Sequence, residues 1–394
     1  MPIKPKICFI TASELTVRWF LLDQLSVLSR HYDVTLIVNT DNPQFLVDAD
    51  SSVKVLPLRI ERQIHVRRDV LALLQLIGIV FRERFVAVHS VTPKAGLLAM
   101  LAAAVCRVPV RIHTFQGEVW ATRTGFMRKL LRSMDRLIAY LATFLLVVSE
   151  SERGFLIQEG IISVSKSCVL AHGSICGIDL RRFAPVADCY SQSRSGFGIP
   201  QKNVVFLYLG RLALDKGILD MVAAFEQLWR ENHAVSLLIV GPDEERIADR
   251  VEAMTLPCRE AIHFYGVTAK PESYIAISDV LCLPSYREGF GMVLLEAAAM
   301  GIPVLASRIY GITDAVVEDE TGLLHVPGSV AEITEKMRLL TNDSELRKRL
   351  GTNALQRARR DFSREYVTGE LLKFYERMLK AYKENHANNE ENSM

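Results

Sequence analysis

Two short segments hold residues whose types and spacing could do chemistry. The first is Pro284-Ser285-Tyr286-Arg287-Glu288-Gly289-Phe290-Gly291-Met292-Val293-Leu294-Leu295-Glu296. The apolar run ending at Leu283 reads as a buried strand, and the loop after it leads into an apolar helix. Glycines let backbone amides approach a ligand closely, and a helix N-terminus offers N–H groups carrying partial positive charge. This is a phosphate cradle built without a Walker lysine. Glu288 falls in the loop. Glu296 lies between one and two turns into the helix, inside Leu-Leu-Glu-Ala-Ala-Ala, where a carboxylate needs a partner. A diol such as the ribose of a nucleotide would give it two donors. A plain turn followed by a helix with one salt-bridged glutamate fits the same spacing.

The second segment is Gly210-Arg211-Leu212-Ala213-Leu214-Asp215-Lys216-Gly217, directly after the apolar run Val204–Leu209. Two cations beside a glycine turn at the end of a strand suit a diphosphate leaving group. Arginine supplies a planar fork and lysine a point charge. Both would stabilise negative charge as the bond to the leaving group breaks. A capped turn with basic surface residues is the alternative.

The elements that would position these loops follow an alternating rhythm. In the first half, short apolar runs at Lys6–Ile10, Val34–Val38, Val53–Leu56, Val86–His89, Val110–Thr114 and Leu145–Val148 read as strands. Amphipathic segments such as Trp19–Ser29, Asp69–Arg82, Ala95–Cys106 and Phe126–Thr143 separate them, as in a parallel α/β sheet. Asp188–Asn203, with Ser191-Gln192-Ser193-Arg194-Ser195-Gly196, breaks the rhythm and reads as a linker. A second series follows, with strands at Val204–Leu209, Ser236–Val240, Ala261–Tyr265, Val280–Leu283 and Val304–Ala306. Its helices are expected at Gly217–Glu231, Asp243–Met254, Pro271–Ile277, Val293–Met300 and Ile312–Val317. From Ser329 to about Asn385 the chain reads as helical, ahead of a polar tail, His386–Met394. Two doubly wound sheets facing across a cleft would put a ligand at the carboxyl ends of their strands.

Composition bounds the class. The 394 residues suffice for two domains, and 49% hydrophobic with 23% charged residues is a globular balance. Lys4 and Lys6 lead straight into a strand, so no secretory leader is read. The longest apolar runs, Val70–Phe81 and Leu137–Val148, are too short to span a bilayer. Seven cysteines without a Cys-x-x-Cys pair suit a reducing cytoplasm. The net charge of +2 hides an asymmetry: residues 1–187 carry 23 basic and 15 acidic side chains, the remainder 24 and 30. The basic half would attract lipid headgroups, phosphates or nucleic acid, unless it is simply solvated. No Gly-x-Gly-x-x-Gly follows either first strand, which argues against a nicotinamide-linked dehydrogenase.

Taken together, the two loops resemble family 4 of the retaining glycosyltransferases, which have the GT-B fold. Gly210-Arg211-Leu212…Lys216-Gly217, Glu288-x7-Glu296 and Gly301-Ile302-Pro303-Val304 carry the resemblance, with Glu320-Thr321-Gly322-Leu323-Leu324. It implies that Arg211 and Lys216 hold the donor diphosphate, helped by the backbone from Gly289 and Phe290 through Gly291, Met292 and Val293. It further implies that Glu296 binds the ribose, Glu288 contacts the donor sugar, and Gly266 and Val267 line the base pocket. No metal or other cofactor is implied. The domains would be an acceptor-binding unit over 1–187, a linker over 188–203 and a donor-binding unit over 204–365. A C-terminal helix and tail over 366–394 would pack back toward the first unit.

The first half is similar to a branch that builds bacterial surface polysaccharides such as capsule and O-antigen repeats. His89-Ser90-Val91-Thr92-Pro93-Lys94-Ala95-Gly96, Arg111 to Trp120, and His172 to Asp179 with Arg182-Phe183 carry this. Many relatives have His-Gly where this chain reads Gln116-Gly117, with His113 three residues earlier; His113 is the candidate second catalytic residue, or else a strand-end histidine satisfied in the core. The first loop, Thr11-Ala12-Ser13-Glu14, lacks paired glycines, which bears on the acceptor. Acceptors in the branch are sugars on a polyprenyl diphosphate. Arg123, Arg128, Lys129, Arg132 and Arg136 interleaved with Phe126, Met127, Leu130, Leu131 and Leu137 would suit an anionic leaflet, as would Arg59, Arg62, Arg67 and Arg68. A solvated helical face is the alternative. The expectation is a cytoplasmic enzyme, peripheral to the inner face of the cell membrane, that moves a hexose or N-acetylhexosamine from a UDP-sugar to a lipid-linked saccharide and binds no nucleic acid. A GT-B sugar-nucleotide epimerase and a silent scaffold of an assembly complex are the other readings.

Overall fold

The computed structural model describes residues 4–46, 52–61, 64–185 and 194–391. The chain forms two compact units: one runs to Cys176 and resumes at Glu365, and the other spans Gly177–Arg364. Residues 194–203 of the expected linker therefore belong to the second unit, while 188–193 lie outside the described residues, as does Arg62.

The first unit begins with β1 (Lys6–Thr11), α1 (Glu14–Thr16), α2 (Leu22–His31), β2 (Asp33–Val38) and β3 (Lys54–Pro57). It continues with α3 (Val66–Glu83), β4 (Ala87–Val91), α4 (Pro93–Val105), β5 (Val110–Phe115) and α5 (Gly125–Leu141). β6 (Phe144–Val147), α6 (Glu150–Gln158) and β7 (Ser167–Cys168) follow. The sheet is parallel, in the order β3-β2-β1-β4-β5-β6-β7, so its direction of growth reverses between β1 and β4.

The second unit contains β8 (Val204–Leu209), α7 (Ile218–Glu231), β9 (Val235–Val240), α8 (Ile247–Met254), β10 (Ile262–Tyr265) and α9 (Pro271–Ala276). Then come β11 (Val280–Leu283), α10 (Met292–Ala299), β12 (Val304–Ser307), α11 (Ile312–Ala315) and β13 (Gly322–His325). Helices α12 (Val330–Asn342) and α13 (Ser344–Asp361) close it, and α14 (Arg364–Glu391) carries the chain back into the first unit. The order β10-β9-β8-β11-β12-β13 reverses between β8 and β11, the two strands that carry the candidate loops. A crevice at such a reversal, beyond the carboxyl ends of the strands, is where α/β sheets take their ligands.

β1 shows how the core is laid out. Ile7 and Phe9 pack with Leu25 and Leu28 of α2 and with Phe374 and Tyr375 of α14. Cys8 and Ile10 pack on the other face with Leu76 of α3, Leu98 of α4 and Ile138 of α5. Successive side chains of a strand point to opposite faces, so a strand covered on both sides must be apolar throughout. The second unit repeats the plan around Phe206, Tyr208, Phe225, Leu237 and Met337. The sequence differs from this in detail. Residues 320–324, read as a turn, contain the start of β13, and the long C-terminal helical stretch is cut at Asp343, whose side chain caps α13 by accepting from the Leu346 N–H at 2.8 Å.

Candidate active site

Among the sequence-derived candidates, Lys216 and Glu288 meet directly. After β8, a short 3-10 turn over Leu214–Lys216 ends at Gly217, whose φ of +65° starts α7. Gly217 lies so close to the end of β11 that a Cβ there would land on the Pro284 carbonyl oxygen, far inside van der Waals contact. The Tyr286 N–H donates to the Asp215 carbonyl at 2.9 Å, stitching the two loops together. Lys216 Nζ then reaches Glu288 Oε1 at 2.6 Å, with both side chains largely buried. Ser285 Oγ donates to the same oxygen at 2.8 Å. Both bonds fall on Oε1, and no described residue bonds Oε2.

Further charges surround this pair. Arg287 Nη2 is 2.9 Å from Asp215 Oδ2. Burial pushes the Asp215 carboxyl upward, but Lys216, Arg287 and Arg211 outweigh it and hold it below the usual range. Arg211 Nη1 lies 2.9 Å from Glu244, in a partly exposed ion pair it would have to leave to grip a phosphate. Sequence reasoning assigned no role to Ser285, Asp215 or Arg287. Their signal was position, each being adjacent to Pro284, Lys216 or Glu288.

Helix α10 starts at Gly291, which has no side chain to cap it and whose φ is +78°. Phe290 turns inward, edge-on to Phe362 at 5.5 Å and buried, so only its backbone borders the loop. Glu296 keeps some surface, yet enclosure by protein pushes its carboxyl up to about 7; Arg182 opposes the rise and Glu272 adds to it. Gly266 and the exposed Val267 follow β10, two strands away from β8.

His113 sits in the first unit, on β5, and is described in its own surroundings. Its Nδ1 is 2.8 Å from Ser90 Oγ on β4, and its ring meets Phe115 edge-on at 4.7 Å. The imidazole lies flush on α4, where a Cβ at Gly96 would stand 2.7 Å from Nδ1. Burial pushes its pKa down to about 3, so the ring is neutral at pH 7. His89, on the neighbouring strand, is also buried, with Tyr375 and Thr114 hydroxyls at 2.8 and 2.7 Å on its two ring nitrogens.

Comparison with known proteins gives the family. Residues 19–170 match the glycosyl transferase 4-like domain, and residues 191–357 match glycosyl transferases group 1. The chain is 31% identical over 345 residues to the capsular polysaccharide biosynthesis glycosyltransferase CapM of Staphylococcus aureus, covering 87% of this chain and 90% of the relative. A Campylobacter jejuni relative, the N,N'-diacetylbacillosaminyl-diphospho-undecaprenol alpha-1,3-N-acetylgalactosaminyltransferase, is 27% identical across 74% of this chain and 77% of its own. Among solved structures, Anabaena HepE in complex with UDP and glucose superposes with a TM-score of 0.79 at 18% identity, covering 94% of this chain and 99% of that one. With two Rossmann-like units, both domain models in order and a relative matched over most of its length, the chain belongs to glycosyltransferase family 4, the GT-B enzymes.

Proposed function

We propose that the chain transfers a hexose or N-acetylhexosamine, with retention, from a UDP-sugar to a saccharide carried on a polyprenyl diphosphate during bacterial surface-polysaccharide synthesis. The observation that carries this is the Lys216–Glu288 pair at the strand-order reversal, with Glu288 Oε2 left to a ligand. The relatives lend direction, since one is named for capsular polysaccharide and another for an undecaprenyl-diphosphate acceptor. In this reading Lys216 and Arg211 neutralise the diphosphate, with the backbone of Gly289 to Val293 beside it. The bond from the anomeric carbon to the phosphate oxygen breaks, and the acceptor oxygen bonds that carbon on the same face. The acceptor proton passes to the departing phosphate, so no protein nucleophile is needed. Glu288 stabilises the cationic sugar, Glu296 takes the ribose, and Gly266 and Val267 border the base. His113, neutral, serves as a hydrogen-bonding group rather than an acid. The charge work falls to lysine and arginine, so a chelator is expected to leave turnover unchanged.

The test is a panel of UDP- and GDP-sugars against short polyprenyl-diphosphate saccharides. Expected are release of the nucleoside diphosphate only when acceptor is present and an α-configured product by NMR. Conversion of donor without acceptor would identify an epimerase instead, and absence of any sugar-nucleotide binding by calorimetry would leave a scaffold.

We also propose that the first unit rests on the inner face of the cell membrane. Among the described residues no helix is long and apolar enough to cross one. Helix α3 exposes Leu71, Leu74 and Phe81 at 60%, 60% and 76%, and α5 exposes Phe126 at 77%. Both helices pack against α4. Apolar stripes on monomers usually mark a contact surface. Among the described residues Arg67, Arg82, Arg123 and Lys129 pair with no carboxylate, which suits an anionic leaflet at about 1 kcal/mol per cation. The variant Leu71→Glu with Leu74→Glu is expected to lower co-sedimentation with phosphatidylglycerol vesicles at least roughly tenfold. Unchanged binding would reject this face.

A further inference from the structure

The segment that opens the second unit places one arginine among three elements of the donor-side fold. Asp179 shapes it, its Oδ1 accepting from the N–H groups of Arg181 at 2.9 Å and Arg182 at 3.1 Å. The Arg182 guanidinium donates through Nε and Nη2 to Glu272 Oε2 at 3.0 and 2.9 Å, and through Nη2 to the Ala269 carbonyl at 2.7 Å. It also lies over the Phe183 ring, 5.2 Å from the centroid. One side chain thus ties the start of the unit to the loop after β10 and to the first turn of α9. Helix α9 packs on α10, which carries Glu296.

We propose that Arg182 is a positioning residue for the nucleotide half of the donor, clamping the loop that bears Gly266 and Val267 and holding a positive charge at the start of α9, the helix packed on the one that carries Glu296. This rests on the reading that Glu296 takes the ribose. A carboxylate can accept from both ribose hydroxyls, whereas a carboxylic acid gives up one acceptor position to its own proton. Burial already pushes Glu296 up to about 7, and Arg182 is the charge that opposes it. The surroundings offer little else. Glu272 works in the opposite direction. Residues 280–283 of β11 and 304–307 of β12 carry no charge, nor does α10 beyond Glu296. On α13, Arg357 is committed to the carbonyls of Ala315 and Asp314 and to Asp361 at 3.8 Å.

The sign follows. Arg182→Met removes the opposing charge and leaves Glu272 unneutralised, so both changes raise the Glu296 pKa and protonate it further at pH 7. UDP binding measured by calorimetry is expected to weaken roughly fivefold at pH 7, because a rise of about one pKa unit from about 7 cuts the ionised fraction from about one half to about one eleventh. At pH 9 the part of the loss that comes from Glu296 protonation should vanish, leaving Arg182→Met within about twofold of Arg182→Lys. Arg182→Lys keeps the charge, so its pH profile should follow the wild type while a smaller, pH-independent loss reports the weakened loop clamp. With donor as substrate, Arg182→Met should raise KM while kcat at saturation changes little, the mark of a contact equal in ground and transition states. Wild-type UDP affinity at pH 7, or an equal loss at pH 7 and pH 9, would overturn the proposal. Should Arg182→Met fail to fold, Arg182→Gln is read by the same criteria. A wild-type chain that binds no UDP rejects the functional reading, and this proposal with it.

Discussion

Lys216→Ala is expected to lower kcat of the folded enzyme by at least roughly a hundredfold. The lysine ammonium is the cation nearest the carboxylate that would face the sugar, 2.6 Å from Glu288 Oε1, and it is largely shielded from water. A charge in such a setting is worth more to a departing diphosphate than the same charge in solvent, because water does not screen it and nothing need reorganise. Lys216→Arg should recover little, since a planar fork does not fit where a point charge bonds one oxygen. Glu288→Ala should cost a similar factor, and the two changes together should cost far less than the product of the two, because the pair acts as a unit. Steady-state kinetics on the three variants decides this. Near-wild-type turnover in both single variants would remove these residues from the mechanism.

Gly217→Ala is expected to destabilise the second unit by about 2–4 kcal/mol, combining left-handed strain with overpacking. The added methyl would meet the Pro284 carbonyl, which follows directly on β11 and, being backbone, cannot swing aside as a flexible side chain would. The loop must move instead, and the loop carries Lys216. Activity should therefore fall in the folded fraction too, with the loss concentrated in kcat. Urea unfolding followed by tryptophan fluorescence, with Trp229 as the reporter in the second unit, reads the first effect, and kinetics below the transition reads the second. An unchanged midpoint together with unchanged kcat would show that the close approach has no consequence.

Much of this arrangement was legible in the sequence because the sheets are parallel and covered on both faces. Such strands read as unbroken apolar runs, and Ile7 to Ile10 or Val204 to Leu209 can hardly be read otherwise. Two strands were not legible: Ser167–Cys168 is only two residues long, and Gly322–His325 hides behind a glycine turn. That the two glycine loops share one pocket, with Arg211 and Lys216 toward the amides near Gly291, was implied by their places at strand ends. Neither the Lys216–Glu288 nor the Asp215–Arg287 contact was, since nothing local links side chains 72 positions apart. Phe290 shows the same limit: a loop has no period to say which way a side chain turns, and only Phe362 decides it.

One feature of the topology reaches back to synthesis of the chain. Tyr375 and Phe374 on α14 cover Phe9, Tyr32 and Val34, so the first unit is completed by residues translated after the whole of the second. The ribosome therefore releases the early strands with one flank bare, and the middle of the polypeptide, whose unit is continuous, can close before the beginning does. During that interval the uncovered flank is a natural client for a holdase, and a stop codon just upstream of position 371 would leave it bare for good.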